Sequence, residues 1–159
     1  MKDWTGNKRS AHAMIGSHVG ALGVRQEHDY YATDPNALVS LLKQKQLPNV
    51  VKVESLPEDC NCILTNPPYK FTMEFIEHSL DLLPEGGEAI FLLNVNALSG
   101  KARYERFYKR GVLKEVFVFP KRVQCAKNGD FASQNGSAVN YAWFVFKKGF
   151  CGSTVLRWL

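Results

Sequence analysis

The sequence predicts an α/β fold built on a mostly parallel sheet, and three observations carry that prediction. Short β-branched or apolar runs alternate along the chain with stretches whose apolar residues recur at helical spacing. The run at 89–95 is apolar on both faces but for Asn94, as befits a strand covered by helices on either side. The run at 63–65 ends at once in Asn66-Pro67-Pro68-Tyr69, where two prolines stop the hydrogen-bonded ladder.

Each element follows from its residues. Residues 1–28 are rich in Gly, Ser, His and charge and hold no sustained apolar period, so they read as a flexible polar arm. The texture changes at Asp29-Tyr30-Tyr31-Ala32-Thr33-Asp34-Pro35, where the folded domain, 29–159, begins. Thr33 or Asp34 suits a helix N-cap, and Pro35 suits the first helical position. Leu38, Leu41 and Leu42 continue that helix to about residue 46, before Pro48. Residues 50–53 form a short β-branched strand, and 63–65 form the next. Phe71, Phe75, Ile76, Leu80 and Leu83 mark an amphipathic helix over 71–83, closed by Pro84 and Gly86-Gly87. After the strand at 89–95 comes a short basic helix, 101–110, ending at Gly111. Strands at 116–119 and 141–146 flank a long polar loop, and a last strand covers 154–158.

Bulk properties exclude some functions. The chain of 159 residues suits one domain with a real core. No apolar stretch approaches the roughly 18 residues that span a bilayer, and the first ten residues lack a signal-peptide core, so a cytoplasmic location without a membrane partner is expected. The four cysteines show no C-x-x-C spacing. Cys60 and Cys62 are expected to pack as small apolar groups, and no metal site is expected. The formal charge of +5 is mild, but nine Lys and Arg fall within 101–127 against Glu105 and Glu115. Such a run suits either a solvated face or phosphate contact, and a neighbouring base-binding motif favours phosphate.

The motif in question is Asn66-Pro67-Pro68-Tyr69. Asn66 lies just past the carboxyl end of a predicted strand, where open α/β sheets bind ligands. The prolines fix their own φ angles and hold the residue before each in extended geometry. The loop therefore presents the Asn66 side-chain oxygen and the Pro67 carbonyl as two preset acceptors, with the Tyr69 ring as a stacking face. That combination fits the exocyclic amino group of a planar base. The lone pair of such an amine is delocalised into the ring, and accepting hydrogen bonds localise it for attack on an electrophile. The same acceptors stabilise the positive charge that develops on nitrogen. Within a duplex the base must first be flipped out.

The segment Ile63-Leu64-Thr65-Asn66-Pro67-Pro68-Tyr69-Lys70 resembles the catalytic motif of amino-group methyltransferases. Asp29-Tyr30-Tyr31-Ala32-Thr33-Asp34-Pro35 resembles the opening motif that touches S-adenosylmethionine in the DNA adenine-N6 group. From residue 29 onward the chain is similar to the small phage-associated DNA N6-adenine methyltransferases, through Arg122, the 125–131 segment, 142–145, 149–152 and Trp158. The resemblance implies a Rossmann-like methyltransferase sheet, S-adenosylmethionine as cofactor and double-stranded DNA as partner. It implies that Asn66, Pro67, Pro68 and Tyr69 hold and stack the target adenine. Tyr31, Thr33 and Asp34 would line the cofactor site. Lys70, Arg122, Lys127 and Asn128 would contact DNA, with Phe119 or Phe131 as a second aromatic wall.

The departures from that family are as informative. Its members need a glycine-rich turn after the first strand and an acidic residue after the second. Between Thr33 and Asn66 this chain has no glycine, and too little length for the roughly 30 residues of a strand–helix–strand unit beside its other elements. The first strands of the sheet are therefore expected to be missing. Glu54 is either the acidic residue that touches the cofactor's adenine or an exposed loop carboxylate. The strand carrying Asn66 should become an edge, unless 50–53 pairs with it, and an apolar edge favours self-association. Three readings follow: an adenine-N6 methyltransferase, a catalytically inactive DNA-binding remnant of one, or a methyltransferase acting on RNA or protein glutamine. The basic segments disfavour glutamine.

Overall fold

The computed structural model describes residues 31–47, 60–123, 125–127 and 139–159. The expected polar arm, the strand at 50–53 and Glu54 lie outside the described residues. Seven strands and three α-helices are described: β1 (Tyr31–Thr33), α1 (Pro35–Gln44), β2 (Cys62–Thr65), α2 (Thr72–Leu82), β3 (Glu88–Asn94), α3 (Lys101–Arg106), β4 (Leu113–Val118), β5 (Cys125–Lys127), β6 (Tyr141–Lys147) and β7 (Val155–Trp158).

The main sheet has the order β2-β3-β6-β4-β7. The β2–β3 and β4–β7 ladders are parallel, while β6 runs antiparallel to both β3 and β4. Four strands thus share one direction and β6 alone opposes them, which agrees with the α/β class and the mostly parallel sheet expected. Among the described residues β2 is hydrogen-bonded to β3 only, so the strand that leads to Asn66 is an edge of the described sheet.

Alternation along the central strands makes two cores, because successive side chains leave a strand on opposite faces. Ala89, Phe91 and Leu93 of β3 join Ala142, Phe144 and Phe146 of β6 under α2, whose Ile76 and the following Leu83 are buried there. Ile90 and Leu92, with Trp143 and Val145, face α1 through Ala37 and Leu41. Phe146 meets both Phe91 and Phe107 edge to face, at centroid separations of 6.0 and 5.9 Å. The Trp143 indole N–H donates to the Ala37 carbonyl at 3.1 Å, which satisfies a buried donor and ties α1 to the sheet.

Local chemistry sets the ends of the helices. Asp34 is the N-cap of α1, its carboxylate accepting from the Asn36 N–H at 2.9 Å, with Pro35 next. Lys148 caps the carboxyl end of α2, donating to the Leu83 and Asp81 carbonyls at 2.6 and 3.0 Å.

Two expectations need correction. The basic helix over 101–110 is broken: α3 ends at Arg106, Phe107 turns inward to full burial, and 108–110 form one 3₁₀ turn. Burying that aromatic against Phe146 outweighs continuing the helix. Gly111 then closes the turn at φ +70°, with the backbone of Cys151 about 3.1 Å from where a Cβ would stand. The loop before β6 is also not wholly irregular. Its residues 125–127 form β5, which pairs antiparallel with β1, itself not anticipated. Three-residue strands carry too little pattern to be read locally.

Candidate active site

Asn66 follows β2 directly, at the end of the sheet where β3 and β4 also finish. Pro67 is buried and Pro68 exposed; Pro68 is extended (φ −58°, ψ 124°) and launches a single 3₁₀ turn over Tyr69–Phe71. The Asn66 side-chain N–H₂ donates to the Thr33 hydroxyl at 3.0 Å. Its other atom, Oδ1, is buried with no hydrogen-bond partner among the described residues. A buried acceptor left unmade costs about 1–3 kcal/mol, so this atom is set to receive a donor.

Thr33 reaches Asn66 from β1, and β1 is held by β5 in the register Thr33↔Cys125, Ala32↔Ala126, Tyr31↔Lys127. Three segments far apart in sequence, all singled out beforehand, therefore meet at one point. Asp34 lies beside them, with one carboxylate oxygen, Oδ1, capping α1.

Tyr69 is partly exposed, and its ring lies over Tyr141 at a centroid separation of 6.3 Å and an interplanar angle of 21°. The two phenol hydroxyls share a hydrogen bond of 2.7 Å. Tyr141 is buried and stands opposite Asn94 in the β3–β6 ladder. Because β6 runs against its neighbours, its first residue falls at the carboxyl end of the others. Beyond Tyr141 opens a cavity of about 280 Å³, lined by Phe119, Lys121, Arg122, Asn140, Tyr141 and Trp158 among others. Arg122 Nε donates to Asn140 Oδ1 at 3.2 Å. Lys70 is exposed, with its ammonium 5.3 Å from the Phe71 ring centroid.

Of the residues expected at the site, Thr33 and Asn66 are thus joined and Tyr69, three residues on, is held by Tyr141, while Phe119 and Arg122 line the neighbouring cavity. For Tyr31 and Lys127 the structure describes the backbone pairing alone. Glu54, Asn128 and Phe131 lie outside the described residues. Tyr141 and Asn140 were not anticipated, since nothing local distinguishes them from the start of an apolar strand. Trp158 had figured only in the resemblance.

The described members of the basic run at 101–127 are spread over different parts of the molecule. Arg106 pairs with Glu77 at 3.1 Å and Lys109 with Glu105 at 3.1 Å. Lys114 lies at the opposite end of the sheet, bound to Glu88 at 3.0 Å. Lys121 and Arg122 are the members that line the cavity.

The strongest electrostatic perturbations lie at that opposite end. Lys45, at the carboxyl end of α1, touches Glu88 and Glu115 at 3.0 Å each, and Arg157 touches Glu115 at 3.1 Å. Burial alone would raise both carboxyls, but hydrogen bonds from Lys114 and Lys45 to Glu88, and from Lys45 and Arg157 to Glu115, hold them below the usual range. Burial would lower Lys45, and its two carboxylate partners raise it instead. Burial, helped by Glu88, pushes the Cys62 thiol up to about 11, which suits a packed thiol and not a nucleophile. Cys60 is buried beside it, its thiol donating to the Cys62 carbonyl. Among the described residues no three His, Cys, Asp or Glu gather as a metal site, and no helix is long and apolar enough to cross a membrane.

No family model and no curated protein matches the chain. Among solved structures it is similar to the crystal structure of the M1.HpyAVI-SAM complex, at 13% identity and a TM-score of 0.34. That match covers 80% of this chain and 65% of the other.

Proposed function

We propose that the chain is a DNA adenine-N6 methyltransferase, with Asn66 holding the amine of a flipped adenine and S-adenosylmethionine as methyl donor. The observation that carries this reading is the unpartnered, buried Oδ1 of Asn66. It is an acceptor without a donor, at the carboxyl end of a strand, in a segment that continues to an aromatic ring.

Each residue has a task in this reading. Thr33 takes the Asn66 N–H, which anchors the amide beside β1 with its oxygen left to accept. An amide that donates on one side accepts more strongly on the other. The Pro67 carbonyl accepts the second N–H of the amine, and its place is held by two prolines. Tyr69 stacks on the base, and Tyr141 holds Tyr69 through ring and hydroxyl. Together these groups hold the amine, localise its lone pair and stabilise the charge it acquires.

For the donor, the Thr33–Asn66 bond is the observation that tests the fit. It sets the segment expected to touch S-adenosylmethionine directly against the residue expected to hold the amine. Tyr31, Thr33, Asp34 and Glu54 would hold the cofactor, which supplies an electrophilic methyl group when bound.

The experiment is titration calorimetry with S-adenosylmethionine, followed by transfer of labelled methyl to DNA and to RNA. Binding in the micromolar range and label on DNA adenine are expected. Asn66→Ala should abolish transfer while leaving cofactor affinity within about twofold, because the lost acceptor serves the amine alone. A second reading, a DNA-binding remnant without catalysis, is favoured by the lack of any glycine between Thr33 and Asn66. Absence of cofactor binding with retained DNA binding would establish it instead. Label on RNA in preference to DNA would move the activity to that acceptor.

A further inference from the structure

We infer that the cavity beyond Tyr141 receives a second nucleobase of the substrate strand, a neighbour of the target adenine, with Trp158 as its stacking surface. This rests on the nucleic-acid reading above and deepens it.

Four features of the cavity converge. Its volume of about 280 Å³ falls just below the range typical of sites for drug-sized ligands, and suits a single planar ring system. Trp158 lines it yet is 65% exposed, more than any other large hydrophobic side chain described. An indole half in water beside a cavity offers a large flat face at low conformational cost. Lys121 and Arg122 are exposed on the same lining, so two cations share the cavity with its aromatic side chains, the pattern that binds a base together with its phosphate. Charge complementarity therefore selects a nucleotide over an apolar peptide.

The fourth feature places the occupant. The lining comes from the ends of β3, β4, β6 and β7, and none of it from β1 or β2. The Tyr141 ring borders the cavity while its hydroxyl holds Tyr69, the platform for the adenine. A base in the cavity is then one aromatic residue away from the target base, the separation expected of strand neighbours.

The test is fluorescence anisotropy of a labelled single-stranded hexanucleotide containing one adenine, titrated with the full chain. Trp158→Ala should weaken binding by roughly 5- to 150-fold, the worth of one stacked base. Trp158→Phe, which keeps a flat ring, should stay within about threefold of the parent. Replacing a nucleotide beside the adenine by an abasic site should cost the parent a similar factor, and should cost the Ala variant almost nothing more. Equal affinities of parent and Trp158→Ala would overturn the inference, as would indifference of the parent to the abasic site at either neighbour, or no oligonucleotide binding at all. The proposed activity is read separately, by Asn66-dependent label transfer. Transfer without any effect of Trp158 sinks the subsite alone, and Trp158-dependent binding without transfer sinks catalysis alone.

Discussion

Thr33 holds the Asn66 amide. Its hydroxyl accepts from the amide N–H₂, and among the described residues the buried oxygen has no donor. Thr33→Val keeps the shape of the side chain and removes the acceptor, so the amide is free to turn. We expect a loss of about 1–1.5 kcal/mol, close to tenfold in kcat, with Thr33→Ser restoring most of it. Tyr141→Phe removes the hydroxyl bonded to Tyr69 at 2.7 Å and leaves the ring contact intact. Here the expected change is about fivefold in KM for DNA with kcat nearly constant, since Tyr141 positions a binding platform and touches no reacting atom. Steady-state kinetics on both variants separates the two effects.

At the scale of elements, the junction between α1 and the sheet has two fastenings. One is the Trp143 bond to Ala37; the other is Lys45 between Glu88 and Glu115. Lys45→Met leaves two buried carboxylates with fewer cations, and should cost about 3 kcal/mol in urea unfolding at neutral pH. The pH dependence follows from the directions of the shifts. Glu88 and Glu115 have depressed folded values, so their contribution is full above the unfolded carboxyl value of about 4.3 and is lost as pH falls through the folded values. Lys45 has a raised folded value, so its contribution is full below about 10.4 and is lost as pH rises through the folded value. Thermal unfolding followed by circular dichroism should therefore show acid loss of stability that begins below about pH 4. In Lys45→Met that loss should be shallower.

For the whole molecule the consequential feature is the β2 edge. On one face of the sheet α1 exposes Leu38, Val39 and Leu42, and on the other face Phe71 and, from α2, Phe75 and Leu82 are exposed. An edge strand in a sheet whose covering helices expose apolar side chains is a template for another chain. We expect self-association through this side, seen by sedimentation velocity as a species heavier than the 17.9 kDa monomer at micromolar concentration. Phe75→Lys, at an exposed position on α2, should shift that species to monomer while barely changing stability. Sedimentation as a monomer at every concentration would rule the association out.

Periodicity and local stop signals made much of this architecture legible. The strands leading to Asn66 and at 89–95, the amphipathic helix between them and the Asp34-Pro35 helix start are written in nearest-neighbour chemistry, and they stand within a residue or two of expectation. Asn66 and Tyr69 were legible for the same reason, since two prolines fix the loop regardless of its surroundings. What tertiary structure alone decided are relations between distant segments. Pairing of β1 with β5 brought Thr33 to Asn66. The reversed direction of β6 carried Tyr141 and Asn140 to the carboxyl end, and Arg106, Lys109 and Lys114 of the basic run are held in ion pairs. None of these leaves a periodic trace in the sequence, because each depends on where the sheet places residues tens of positions apart. The amino acids thus determined an acceptor loop at a strand end; the sheet determined which side chains hold it, and which of its atoms is left waiting for a donor.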